Sequence, residues 1–238
     1  MKAINIFFYF LFYFLFVAPF PSCSDNNKKV EQLLSQAEFP DKVTPYFPTS
    51  PIKSLHKAQV LNDFDNDRFS SALYALKDPV LYYKKDSGLT YRLSFFGNFT
   101  PSVSFTLKSY ANKHYLIAKA LNQQPQFWER GAKITTTTSD TFIARYKPDS
   151  LVFINFQKVA KLNPEQWQII QGFLGKIKFW NSSTFEIREG SPTDITTWVL
   201  EGLSNNKYHF IVRSDSRPLE EFGHLLLKFS ELPVKELN

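Results

Sequence analysis

Asn163-Pro164-Glu165-Gln166-Trp167-Gln168-Ile169-Ile170-Gln171-Gly172-Phe173-Leu174-Gly175-Lys176-Ile177 is the stretch on which the fold turns. It opens with an N-cap residue, a proline at the first helical position and a glutamine placed to close a capping box. Trp167, Ile170, Phe173, Leu174 and Ile177 then recur at helical spacing, so that face of the helix is predicted to be buried. Downstream, Ile195–Glu201 and Lys207–Arg213 read as two strands joined by Gly202-Leu203-Ser204-Asn205-Asn206, an antiparallel hairpin. Pro218 opens a last helix with the stripe Leu219, Phe222, Leu226 and Phe229, and Pro233 ends it.

Upstream the pattern is of strands: Val80–Tyr83, Tyr91–Phe96, Val103–Ser109, Tyr115–Leu121, Thr141–Tyr146 and Leu151–Phe156. They are short, rich in β-branched and aromatic residues and mostly bounded by turn-formers. Alternation is clearest in the third, with Val103, Phe105 and Leu107 on one face and Ser104, Thr106 and Lys108 on the other. The sixth is apolar on both faces, which predicts a central position. Strands in succession, then helix, hairpin and helix, predict an α+β fold: a mainly antiparallel sheet with helices packed on one face. Residues 53–238 are read as this single domain. Arg68–Leu76 is a further predicted helix within it.

The N-terminal region is of another kind. Lys2 precedes an unbroken apolar run of 13 residues, Ile6–Ala18. That is too short to span roughly 30 Å of hydrocarbon as a helix and fits a signal peptide, assigned to residues 1–22. Pro19 and Pro21 break the run, and Cys23, the chain's only cysteine, follows with Ser22 before it. This is where a bacterial lipobox places its cysteine, so Cys23 is the expected lipidation site. Phe20 and Pro21 stand where the usual lipobox has Leu and a small residue. Residues 23–52 are read as a lipid-anchored tether, a short helix carrying Val30, Leu33, Leu34 and Ala37, and a spacer with Pro40, Pro45, Pro48 and Pro51. The expected location is the cell envelope, with a membrane contact through the acyl chains.

The C-terminal part resembles a group of uncharacterised bacterial proteins, many of them predicted lipoproteins, found especially in Bacteroidetes-like organisms. The residues that carry the likeness are Leu162-Asn163-Pro164-Glu165-Gln166-Trp167, Phe179-Trp180, Trp198-Val199-Leu200-Glu201-Gly202, Lys207-Tyr208-His209-Phe210 and Leu225-Leu226-Leu227-Lys228-Phe229-Ser230. It covers roughly residues 150–232, with a looser likeness at Pro79-Val80-Leu81-Tyr82. The group tends to carry a glycine in the hairpin turn, where Asn205-Asn206 stands here, and a tryptophan where Ser214 stands. The resemblance implies export, lipid anchoring and the hairpin-then-helix ending. It implies no activity.

Chemistry-bearing motifs are sparse. Asp63, Asp65 and Asp67 resemble the start of a calcium loop, but Arg68 and Tyr74 stand where the turn glycine and the bidentate Glu are needed. No two of His56, His114, His209 and His224 have the close spacing of a zinc site, and no metal or cofactor is expected. There is no G-x-S-x-G elbow and no Gly-rich phosphate loop. The carboxylate pairs Glu186 and Glu189, and Glu220 and Glu221, read as surface charge. A net charge of +6 is spread along the chain in runs no longer than pairs such as Lys28-Lys29, which excludes the stripe of a nucleic-acid binder. Trp180, Trp198 and His209 are the candidate partner-binding residues, and Trp128 is a further candidate for an exposed aromatic platform. The expected function is a non-enzymatic envelope protein that binds a protein or glycan partner. The alternative is an envelope or extracellular hydrolase whose site assembles from dispersed residues.

Overall fold

Two asparagine-containing turns organise the sheet. Ala111 and Asn112 have φ of 48° and 59°, and Asn205 and Asn206 have φ of 48° and 62°. A two-residue hairpin with both residues left-handed matches the twist of the strands it joins, and Asn tolerates that region better than most residues. In this computed structural model, which describes residues 45–50, 60–84, 88–97, 100–125, 151–186, 196–214 and 216–233, six strands form one sheet. They are β1 (Leu89–Phe96), β2 (Val103–Tyr110), β3 (Lys113–Leu121), β4 (Ile154–Leu162), β5 (Thr197–Ser204) and β6 (Lys207–Ser214). The order is β4-β3-β2-β1-β5-β6, and every neighbouring pair is antiparallel.

Three helices pack against it: α1 (Asp63–Ala75), α2 (Pro164–Ile177) and α3 (Arg217–Ser230). The fold is therefore α+β, with an antiparallel sheet. One face of the sheet presents Leu93, Phe95, Phe105, Leu107, Leu116 and Leu200 to Trp167, Ile170 and Leu174 of α2 and to Leu219, Phe222 and Leu226 of α3. The other face presents Phe96, Leu121, Val199, Leu203 and Phe210 to Phe69, Ala72 and Leu73 of α1. Helices thus lie on both faces, where the sequence reading placed them on one. The reason is in the strands: β1 and β5 are buried along nearly their whole length, and Phe96, Val199 and Leu203 put apolar side chains on the side opposite α2 and α3.

Tyr46 and Phe47 are buried beside α1, with Phe47 edge-on to Phe69 at 6.1 Å between centroids. The stretch read as a spacer thus supplies two core aromatics. The capping box on α2 forms as expected: Asn163 Oδ1 accepts from Gln166 N at 2.8 Å, and Gln166 Oε1 accepts from Asn163 N at 2.9 Å.

Four local expectations are corrected. Val80–Tyr83 is not a strand. Val80 and Leu81 are buried under the α1 face, and Lys84 N closes a turn onto Leu81 O. Pro79 has no N–H to give a ladder, and its carbonyl is taken by Arg92. The expected strand Leu151–Phe156 is instead Ile154–Leu162, and it lies at the sheet edge. Its apolar residues on both faces reflect exposure: Leu151 is 69% and Phe153 56% exposed, held in a turn by Asn122, which bonds Leu151 O and Phe153 N. α1 begins at Asp63, five residues before Arg68, because Asn62 caps it by accepting from Asp65 N. The hairpin connection shrinks to Asn205-Asn206, with Gly202 to Ser204 continuing β5. The expected signal peptide, Cys23, the short helix with Val30, and the strand Thr141–Tyr146 lie outside the described residues.

Candidate functional site

Three charged residues stand in the buried parts of strands: Arg92 in β1, Glu201 in β5 and Lys119 in β3. Alternation turns all three toward the α1 face of the sheet, where each is buried. Arg92 and Glu201 are direct cross-strand partners. Arg92 Nε donates to Glu201 Oε2 at 2.6 Å, and Nη1 donates to Pro79 O at 2.7 Å. Nη2 lies 2.5 Å from the same Oε2, an ionic contact whose alignment falls short of a hydrogen bond. Tyr208 Oη completes the arrangement by donating to Glu201 Oε1 at 2.9 Å. The guanidinium also lies over the Tyr46 ring, 5.8 Å from its centroid.

A second ion pair adjoins the first. Lys119 Nζ donates to Leu76 O at 3.0 Å, to Lys77 O at 2.9 Å and to Asp78 Oδ1 at 2.7 Å. Its three hydrogen bonds use all the donors an ammonium has, so none is left for a ligand. It serves as a tertiary cap on the C-terminal end of α1, where free carbonyls and the negative end of the helix dipole favour a cation. Tyr46 Oη donates to Asp78 O at 2.7 Å, tying the 45–50 stretch to the same corner.

Ser94 and Ser104 face each other across β1 and β2, and Ser104 faces Lys119 across β2 and β3. Their hydroxyls and Asp78 Oδ2 are buried without a hydrogen-bond partner among the described residues.

Burial sets the protonation of this cluster. It works against the Arg92 charge, but Glu201 and Asp78 outweigh it and hold the guanidinium pKa up. Burial raises the Glu201 carboxyl, with Arg92 and Tyr208 opposing. It also raises the Tyr46 and Tyr208 hydroxyls, each with help from a neighbouring carboxylate. Arg92 and Tyr208 bind Glu201, and Lys119 binds Asp78 and the carbonyls at the C-terminal end of α1. This arrangement joins α1 and the 78–79 turn to the middle of the sheet.

The residues expected to bind a partner lie elsewhere, mostly in the α2 and α3 layer. Trp198 is buried, its ring edge-on to Phe95 at 4.9 Å and seated against Gly223 of α3. His209 is also buried, 5.1 Å from the Phe179 ring. Neither offers an exposed ring, because alternation in β5 and β6 turns both beneath covering elements. Trp180 is half-buried in the middle of a short 3-10 turn (Phe179–Asn181), and its Nε1 donates to Tyr91 Oη at 3.0 Å.

His224 is exposed on α3 and lies 3.8 Å from Glu220, away from the buried setting of His209. His114 stacks flat on Trp167 at 4.3 Å, and burial lowers its pKa. Asp63 and Asp65 fall in the first turn of α1, where they complement the helix dipole. Among the described residues no group of three or more His, Cys, Asp or Glu is placed to hold a metal ion. Glu186 pairs with Arg213 at 3.5 Å, and Glu221 with Arg217 at 3.1 Å. His56, Trp128 and Glu189 lie outside the described residues.

The sequence reading passed over Arg92, Lys119, Glu201, Asp78, Tyr46 and Tyr208. A signal was present: a charge set among the large apolar residues of a strand needs an internal partner once it is buried. Compared with family models, with curated proteins and with solved structures, the chain matches none.

Proposed function

We propose that this protein is an exported lipoprotein of the bacterial cell envelope, anchored by acyl chains on Cys23, whose α+β domain is a non-enzymatic module binding a protein or glycan partner. The observation that carries the reading is the apolar run Ile6–Ala18, broken by Pro19 and Pro21 and followed at once by the chain's only cysteine. Acyl chains at about 0.8 kcal/mol per buried methylene make a two-chain anchor stable. A binding module is supported by the way the domain uses its charged groups. Arg92, Glu201, Lys119 and Asp78, which hold the chemistry a catalyst would need, are closed on one another inside the fold. That leaves the domain's outer surface for recognition.

The test is metabolic palmitate labelling with membrane fractionation, comparing the wild type with Cys23→Ala. Label and membrane association in the wild type alone support the anchor. A soluble, unlabelled wild type that behaves like the variant removes it.

A further inference from the structure

Strand direction gathers at one end of the sheet what the sequence disperses. β2, β4 and β5 end there, and β1, β3 and β6 begin there, so both two-residue turns and the start of α2 share that end. The described segments that form it, 88–91, 107–116, 159–166 and 202–209, carry Lys108, Lys113, Lys161 and Lys207 against one acid, Glu165. Lys108, Tyr115 and Lys161 form a single cross-strand row on the α1 face, and Lys113 stands opposite Tyr110. Lys113, Lys161 and Lys207 are exposed, and none forms an ion pair with a described residue. Tyr110, 68% exposed, rises among them.

We infer that this end of the sheet is a docking surface for an anionic lipid bilayer. Lysines spaced over several strand ends present a broad positive face rather than a pocket, and each Lys near an anionic surface adds to the attraction. An exposed tyrosine has an apolar ring and a polar tip, the combination favoured at the headgroup level. The lysine stems add apolar cover while their ammonium groups reach phosphate. The tether makes the encounter local and rests on the anchoring proposed above: only 21 residues lie between Cys23 and Pro45. The charge and the tyrosine belong to the domain itself, so docking is testable without the acyl chains.

The experiment uses chain 23–238 carrying Cys23→Ser, the expected processed form without lipid. It is sedimented with vesicles of phosphatidylcholine alone and of phosphatidylcholine with phosphatidylglycerol. Binding is expected only to the anionic vesicles, and it should weaken with added salt. Lys113→Gln/Lys161→Gln should reduce partitioning about 25-fold, at roughly fivefold per lysine. Arg217→Gln/Lys228→Gln, which removes the same charge from α3, should leave it within about twofold. Circular dichroism confirms that both variants fold.

Equal loss in both variants would mean a net-charge effect without a docking face and would overturn the inference. So would no binding to anionic vesicles, equal binding to both vesicle types, or retention on an anionic polysaccharide without vesicle binding. Palmitate labelling reports on the anchor separately, so either idea can fail alone.

Discussion

Arg92 and Glu201 meet in the middle of the sheet, Nε to Oε2 at 2.6 Å, with both side chains wholly removed from solvent. They stand 109 residues apart in the chain and are brought together by the pairing of β1 with β5. The pair is costly to desolvate and costly to break.

Replacing one partner should therefore hurt far more than replacing both. Arg92→Met is expected to destabilise the fold by about 3–5 kcal/mol, because it strands a buried carboxylate. Arg92→Met/Glu201→Leu should recover most of that loss. Urea unfolding of the two proteins measures the difference. A single variant within about 1 kcal/mol of wild type would show that the pair is not held as described.

Lys119 predicts a local effect. Lys119→Met removes the donor for Leu76 O, Lys77 O and Asp78 Oδ1. A loss of about 3 kcal/mol is expected, with amide exchange rising first in the last turn of α1. Uniform loosening across the whole sheet, with α1 no different, would argue against a capping role.

Alkaline pH should weaken the fold through its buried tyrosines. Burial holds the Tyr46 and Tyr208 pKa values above the ordinary 10.0 in the folded state. Their contribution is complete below that value and is lost as pH rises toward the folded-state pKa, since the unfolded chain ionises first. The melting temperature should fall from about pH 10 upward. Tyr208→Phe should cost about 1–3 kcal/mol at neutral pH, as Glu201 Oε1 loses its donor, and should show a shallower alkaline fall. Parallel pH profiles for the variant and wild type would exclude Tyr208 as a source.

Packing on the opposite face is close enough to test with one methyl group. A Cβ on Gly223 of α3 would run into the Trp198 ring, which is buried and backed by Phe95. Gly223→Ala is expected to destabilise by about 1–3 kcal/mol and to change the near-ultraviolet dichroism of tryptophan. Gly223→Ala/Trp198→Phe should regain part of the loss. A neutral Gly223→Ala would mean that α3 stands further from the sheet.

What the sequence by itself determined is local. Asn163, Pro164 and Gln166 set the start of α2. The spacing of Leu219, Phe222 and Leu226 marked the buried side of α3, and the alternation in Val103–Ser109 marked a strand. Each depends on residues within a few positions of one another, and a cap or an amphipathic period is complete at that range. The antiparallel α+β class followed from the order of such elements.

Where a strand lies in the sheet is not local. Leu151 and Phe153 look like core from their neighbours, yet they fall outside β4, and β4 lies at an edge. The same limit hid the buried charges. Arg92, Lys119 and Glu201 were visible as charges within strands, but the ion pairs join residues 41 and 109 positions apart, Lys119 with Asp78 in the turn after α1 and Arg92 with Glu201 on a paired strand. It also hid the grouping of Lys113, Lys161 and Lys207, which share an end of the sheet only because the strands alternate in direction. Tertiary structure decided which side chains face each other and which face solvent, because burial and charge pairing are properties of the assembled sheet.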